Sequence, residues 1–259
     1  MKETRFEHLY FSQYGLQLFQ SCPLRFQRRY FEGLTWKLNR LANPDVLRGQ
    51  EQGRRFHLLA ERYFLGIPTG IENIPQEKML HQWIAALKQF APVIPDNQYF
   101  PEFELRLNKG ELKLQGKYDL IRVDQERNIT IYDWKTEEKL LSPSKVQGSF
   151  QTILYRFLMV EAGAAVIGGA IQPQHVSMIY WQPNHPGEAI KIRYSDALYE
   201  QDKRFLENLI GEIKGFDFDA FDKEQTDRKV CKYCEYHGIC HKEPGNYDMI
   251  SYQQEEDGE

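Results

Sequence analysis

The chain has 259 residues, 41% of them hydrophobic and 27% charged, with a formal net charge of −4 when histidine is neutral. That balance is typical of globular proteins; there is no apolar run of membrane-spanning length. The net charge argues against indiscriminate polyanion binding by the whole surface and leaves room for a local basic groove.

The opening MKETRFEHLYFSQYG lacks the apolar stretch and cleavage site of a secretory leader, so the expectation is a cytoplasmic protein whose thiols stay reduced. SQYGLQLFQ predicts a helix capped by Ser12, and SCPLRFQRRYFEGL a second one, with Ser21 as N-cap and Pro23 in the first turn. Positive charge gathers here, at Arg25, Arg28, Arg29, Lys37, Arg40, Arg54 and Arg55, interleaved with Phe26, Tyr30, Phe31 and Trp36. PDVLRGQEQGRRFHLLAERYFLG places Phe56, Leu59, Ala60 and Tyr63 on one helical face, with Gly66 as the stop. QEKMLHQWIAALKQF does the same with Leu80, Trp83, Ile84, Leu87 and Phe90.

The period then changes. FELRL, ELKLQGKYDLIRV and NITIYDWKT read as three strands, the last two separated by DQERN. After Ser142-Pro143, KVQGSFQTILYRFLMVEAG reads as one helix, HVSMIYWQ and EAIKIRY as strands, and SDALYEQDKRFLENLIGEIKG as a long helix. This order predicts an α/β (α+β) fold with a central mixed sheet flanked by helices. The expected organisation is one unit over 1–250: a mainly helical part (1–95), a core (96–215) and a cysteine segment (216–245), then an acidic, disordered tail (251–259).

CKYCEYHGIC puts Cys231, Cys234 and Cys240 inside ten residues. Three thiols pair awkwardly as disulfides and are one short of the four that a zinc ion or an iron–sulfur cluster takes. The remaining cysteine, Cys22, lies near the other end, in CPLRF. His237, inside the triplet, is a substitute zinc ligand, and inert free cysteines are the plain alternative.

Asp119 lies in GKYDLIRV and Asp133 in IYDWKT, on segments that a hairpin would bring side by side. In a strand Asp133 and Lys135 share a face. Two converging carboxylates repel unless a cation lies between them, and hard oxygen ligands suit Mg²⁺ or Mn²⁺. A nearby ammonium completes a set able to hydrolyse phosphodiesters. The plain alternative is a surface Asp–Lys pair. Glu104, on the preceding alternating strand, is explained by solvent exposure.

The series Gly53–His57, Gly116–Asp119, Asp133-Trp134-Lys135-Thr136 and Gln151–Tyr155 resembles the PD-(D/E)XK nuclease superfamily. More specifically it resembles the RecB-like branch, in which G-x-x-x-H, G-x-x-D, D-x-K-T and Q-x-x-x-Y follow in that order. The resemblance implies a restriction-endonuclease-like core. It also implies metal binding by His57, Asp119, Asp133 and the Trp134 carbonyl, with Lys135 positioning the attacking water. Gln151 and Tyr155 would touch DNA phosphate or support Lys135. The plain readings are a half-buried histidine for His57 and a packed polar patch for Gln151 and Tyr155.

Some members of that branch, in AddB-type helicase–nucleases and in CRISPR adaptation, carry C-P-x-x-F before the core and C-x2-C-x5-C after it. By resemblance Cys22, Cys231, Cys234 and Cys240 would hold a 4Fe–4S cluster, with structural zinc as the rival. The resemblance further implies a metal-dependent DNA exonuclease acting on single strands or duplex ends, in repair, recombination or CRISPR spacer acquisition. Helicase or adaptation proteins would be its partners, and Arg25, Arg28 and Arg54 would bind substrate. A catalytically silent DNA-binding module and a zinc-stabilised scaffold are the alternatives from other classes.

Overall fold

The computed structural model describes residues 3–35, 44–222, 224, 226, 228–232 and 234–243. Trp36, Lys37, Arg40 and the acidic tail, all singled out in the sequence, lie outside them. After a 3-10 turn at Glu3–Phe6 come α1 (Gln13–Ser21), α2 (Pro23–Tyr30), α3 (Pro44–Phe64) and α4 (Lys78–Phe90). The sheet begins with β1 (Gln98–Lys109), β2 (Leu112–Val123) and β3 (Ile129–Trp134). Next are α5 (Pro143–Gln147), α6 (Phe150–Ala162), α7 (Ala164–Ile167), β4 (Val176–Trp181), β5 (Ile190–Arg193) and α8 (Asp196–Gly215). Two short helices, α9 (Arg228–Lys232) and α10 (His237–His241), carry the cysteine segment.

The strands form one sheet in the order β1-β2-β3-β4-β5. All neighbours are antiparallel except β3 and β4, which run parallel on either side of the helical crossover. This is the expected mixed sheet flanked by helices. One face packs on α1, α6 and α8 through Leu16, Leu18, Leu114, Ile121, Ile131, Leu154, Leu158, Leu206 and Ile210. The other packs on α3 and α4 through Phe56, Ala60, Leu80, Trp83, Leu87, Leu120, Trp134 and Trp181. Both helical stripes expected from periodicity, on α3 and on α4, fall in this second core.

Two local expectations are corrected. Ser12 caps α1, accepting from the Gly15 N–H at 3.1 Å. Ser21, however, ends α1: its hydroxyl donates back to the Leu18 carbonyl, and Cys22 is the cap of α2 with Pro23 following. The helix expected across 145–163 is two helices. The Val146 carbonyl accepts from the hydroxyls of Ser149 and Thr152, and Ser149 caps α6 through the Thr152 N–H. Side-chain hydroxyls that bind the backbone locally in this way compete with helix continuation.

The alternation of β1 and β2 changes phase at one level. Leu107, Leu105 and Phe103 face the main core, but so does Phe100, while Tyr99 faces the second core. In β2, Tyr118 and Ile121 face the main core and Leu120 the second. The slip falls at Glu102 and Asp119, which lie between the ladder pairs Pro101↔Leu120 and Phe103↔Tyr118. Glu102 takes φ 49°, left-handed backbone that costs a non-glycine residue about 1–3 kcal/mol.

Candidate active site and cysteine pocket

The phase slip determines where the carboxylates go. Glu102 and Asp119, at the same level of neighbouring strands, meet His57 from α3. One ligand atom from each of the three lies within 4.8 Å of the others, close enough to hold a metal ion. His57 Nδ1 is 3.4 Å from Asp119 Oδ1 and 3.8 Å from Glu102 Oε1. Lys117 Nζ holds the other Glu102 oxygen at 2.7 Å. The second Asp119 oxygen accepts from the Trp134 N–H at 2.5 Å. Burial alone would push the Asp119 carboxyl up. The neighbouring His57 and Lys135 charges and the Trp134 N–H instead hold it below the ordinary carboxylate value. Two oxygens and an imidazole nitrogen suit a hard or borderline divalent cation such as Mg²⁺ or Mn²⁺.

Asp133, which follows the β2–β3 ladder pair Leu120↔Tyr132 as Asp119 precedes it, lies outside that trio. Its Oδ1 is 2.8 Å from Lys135 Nζ, and Oδ2 accepts from Gln151 Nε2. Asp133 is 1% exposed, whereas the Lys135 side chain keeps a quarter of its surface in solvent. Lys135 therefore stands at the surface end of a buried Gln–Asp–Lys chain. Trp134 packs its ring into the second core.

The motif glycines are close-packing positions. A Cβ on Gly53 would lie 2.8 Å from Thr136 Oγ1, so a side chain there would force Thr136 to shift where α3 brings His57 in. A Cβ on Gly116 would lie 3.1 Å from the Tyr155 ring. Tyr155 is buried against that glycine and the Tyr118 ring, and its carbonyl accepts from the Tyr118 hydroxyl at 2.8 Å. Glu104 is exposed and pairs with Arg106, as its alternation implied. Glu102 was the carboxylate that period-2 reading missed. The interior Pro101 beside it, which marks an irregular edge strand, was the available signal.

The four cysteines come together from opposite ends of the chain. Cys22, Cys231, Cys234 and Cys240 line one pocket with Arg25, Arg28, Thr226, His237 and His241. Cys22 Sγ is 3.7 Å from Thr226 Oγ1, and Arg25 pairs with the buried Glu235 at 2.8 Å. Burial, then the Glu235 carboxylate, pushes the Cys234 thiol up to about 12. Thiols of this kind become ligands by losing their proton to a metal. Arg25 and Arg28 thus face the cysteine pocket, and Arg54 is exposed and paired with Glu51 on α3. Phe26, Tyr30 and Phe31 pack in or against the main core. Among the described residues no helix is long and apolar enough to cross a membrane.

No curated protein matches the chain. Among solved structures, it resembles a candidate exonuclease of Eubacterium rectale at 12% identity and a TM-score of 0.48, over 82% of this chain and 83% of that one. It also resembles the protein SSO0001 at 15% identity and a TM-score of 0.41, over 93% and 91% of the two chains. The model of the PD-(D/E)XK nuclease superfamily matches residues 10–94 and 76–241. That match spans the His57–Glu102–Asp119 trio, the Asp133–Lys135 pair and all four cysteines, and by it the chain belongs to the PD-(D/E)XK nuclease superfamily.

Proposed function

We propose that this chain is a divalent-metal-dependent DNA exonuclease of the RecB-like branch, acting on single strands or duplex ends. The observation that carries the reading is the convergence of His57, Glu102 and Asp119 beside the Asp133–Lys135 pair. His57, Glu102 and Asp119 would hold Mn²⁺ or Mg²⁺, with Asp133 and the Trp134 carbonyl as further candidate ligands. When bound, the cation supplies Lewis acidity to a phosphate oxygen and lowers the pKa of water.

The chain's own residues then orient the reaction. Gln151 fixes one Asp133 oxygen and Asp133 fixes the Lys135 ammonium, which would stabilise the negative charge that grows on the phosphate. Hydrolysis forms a bond from water oxygen to phosphorus as the bridging P–O bond breaks, and the proton leaves with the departing sugar oxygen. Tyr155 supports this set by packing under β2. Arg54, exposed on α3 three residues before His57 and paired with Glu51, would meet phosphate.

The cysteine pocket, gathered from both ends of the chain, supports a 4Fe–4S cluster on Cys22, Cys231, Cys234 and Cys240, with zinc as the rival occupant. It would join the ends of the chain and take no part in hydrolysis. The reducing cytoplasm suits such a site. Repair, recombination and CRISPR spacer acquisition are the processes that such an exonuclease serves, with a helicase or adaptation proteins alongside.

The test is anaerobic incubation of fresh protein with end-labelled single-stranded and duplex DNA, with and without Mn²⁺. Cleavage that needs Mn²⁺ and is lost at least a hundredfold in Asp133→Asn is expected. Equal cleavage by that variant refutes the assignment. Brown protein with broad visible absorption supports iron, and colourless protein containing zinc supports the rival.

A further inference from the structure

The segment that follows Lys135 is in neither helix nor strand, yet four consecutive carbonyls in it are held by side chains of one turn. The Thr136 carbonyl accepts from Asn184 Nδ2 at 3.1 Å. The Glu137 carbonyl accepts from Gln182 Nε2 at 3.0 Å and Asn184 Nδ2 at 3.4 Å. The Glu138 carbonyl meets His185 Nε2 at 2.7 Å, and the Lys139 carbonyl accepts from Gln182 Nε2 at 2.9 Å. Gln182 also accepts from the Leu141 N–H through Oε1 at 2.8 Å. All three residues stand in the turn between β4 and β5.

The turn is itself anchored. Trp83 Nε1 on α4 donates to Asn184 Oδ1 at 3.0 Å, and Trp181 Nε1 donates to the Pro186 carbonyl at 3.1 Å. Gln182 is 1% exposed, so its amide is a buried group with every hydrogen-bonding atom used. On the other side of the segment, the Lys135 N–H donates to the Trp181 carbonyl at 2.9 Å. The backbone of Lys135 is therefore fixed from both directions by the strand end and turn of β4, while residues 137–140 keep their side chains exposed.

We propose that Gln182, Asn184 and His185 form a clamp whose task is to position the Lys135 ammonium beside the phosphate that water attacks. This rests on the nuclease reading above. Reacting groups must be held to within a fraction of an ångström, and a lysine on a loose segment would spend most of its time out of place. Gln182 and Asn184 do not touch the trio or Asp133; they are positioning residues acting through the backbone of 135–141.

Asn184→Asp isolates the effect. It keeps the oxygen that accepts from Trp83 and removes the donor to the Thr136 and Glu137 carbonyls. Three measurements apply: amide hydrogen exchange across 135–141, steady-state cleavage of end-labelled single-stranded DNA with Mn²⁺, and Mn²⁺ affinity by titration. Expected are faster exchange confined to that segment, kcat lowered at least tenfold, and KM and Mn²⁺ affinity within twofold of wild type. His185→Phe, at the outer edge of the turn, is expected to move the same readouts in the same direction by less, and serves if the first variant fails to fold. Unchanged exchange, or faster exchange with wild-type kcat, overturns the clamp. So does a loss carried by KM or by metal affinity. Wild-type protein that leaves the DNA intact overturns the catalytic part together with the nuclease reading. A cleaving wild type with an indifferent Asn184→Asp overturns the clamp alone.

Discussion

Glu102 combines a conformational cost with a chemical task. Its left-handed backbone breaks the β1–β2 ladder and turns its carboxylate toward His57 and Asp119. Glycine tolerates that conformation freely. Glu102→Gly is therefore expected to melt no lower than wild type while binding Mn²⁺ at least tenfold more weakly, read by calorimetric titration and thermal unfolding. Gly116→Ala tests the opposite case. Its new Cβ would meet the Tyr155 ring at 3.1 Å and Leu158 at 3.3 Å, and overpacking there should cost about 1–3 kcal/mol in urea unfolding. The Asp133–Lys135 contact was legible from strand parity, whereas Asp119 was singled out only by motif order and the hairpin. Glu102 was not, because two glutamates in PEFEL look alike to a period-2 count. The phase slip, which depends on both strands at once and is hinted at only by Pro101, tells the half-buried partner of His57 from the exposed Glu104.

At the level of elements, α6 carries the supporting side chains, and its start is set by Ser149. Ser149→Ala removes the cap on the Thr152 N–H and should cost about 1 kcal/mol, measured by denaturant unfolding. Because Gln151 sits in that first turn, kcat should fall further than the stability loss alone explains. The far side of α6 is tied to α8 by Arg156 and Asp202, a buried bidentate pair with the guanidinium also over the Tyr194 ring. Asp202→Ala would strand the arginine charge and is expected to cost about 3–5 kcal/mol, read in the same way. Helices and strands were legible wherever apolar periodicity ran unbroken. The α5–α6 interruption was not, since its cause is competition by two hydroxyls for one carbonyl and leaves the apolar pattern intact.

For the whole molecule, the pocket shared by Cys22 and the late cysteines links the two ends of the described chain. If a metal group joins them, the closed loop contains nearly all of the fold, and chain-entropy reasoning gives about 4–5 kcal/mol of stabilisation. Cys22→Ala should then lose bound metal and lower the melting temperature together, checked by metal analysis and calorimetry on the same sample. DNA affinity should fall steeply with salt if arginines meet phosphates, and a flat response in a filter-binding titration would place the contact elsewhere. No local rule pairs Cys22 with residues more than 200 positions away. In the sequence, only the family resemblance ties them together.

The Arg25–Glu235 ion pair and the hydrogen bond from Tyr236 to the Leu34 carbonyl have a bearing on biogenesis. Both dock the C-terminal segment on the N-terminal part without using a single sulfur. If the thiolates hold a metal group, these contacts would help to shape its site independently of the group itself. Insertion would then follow folding rather than precede it.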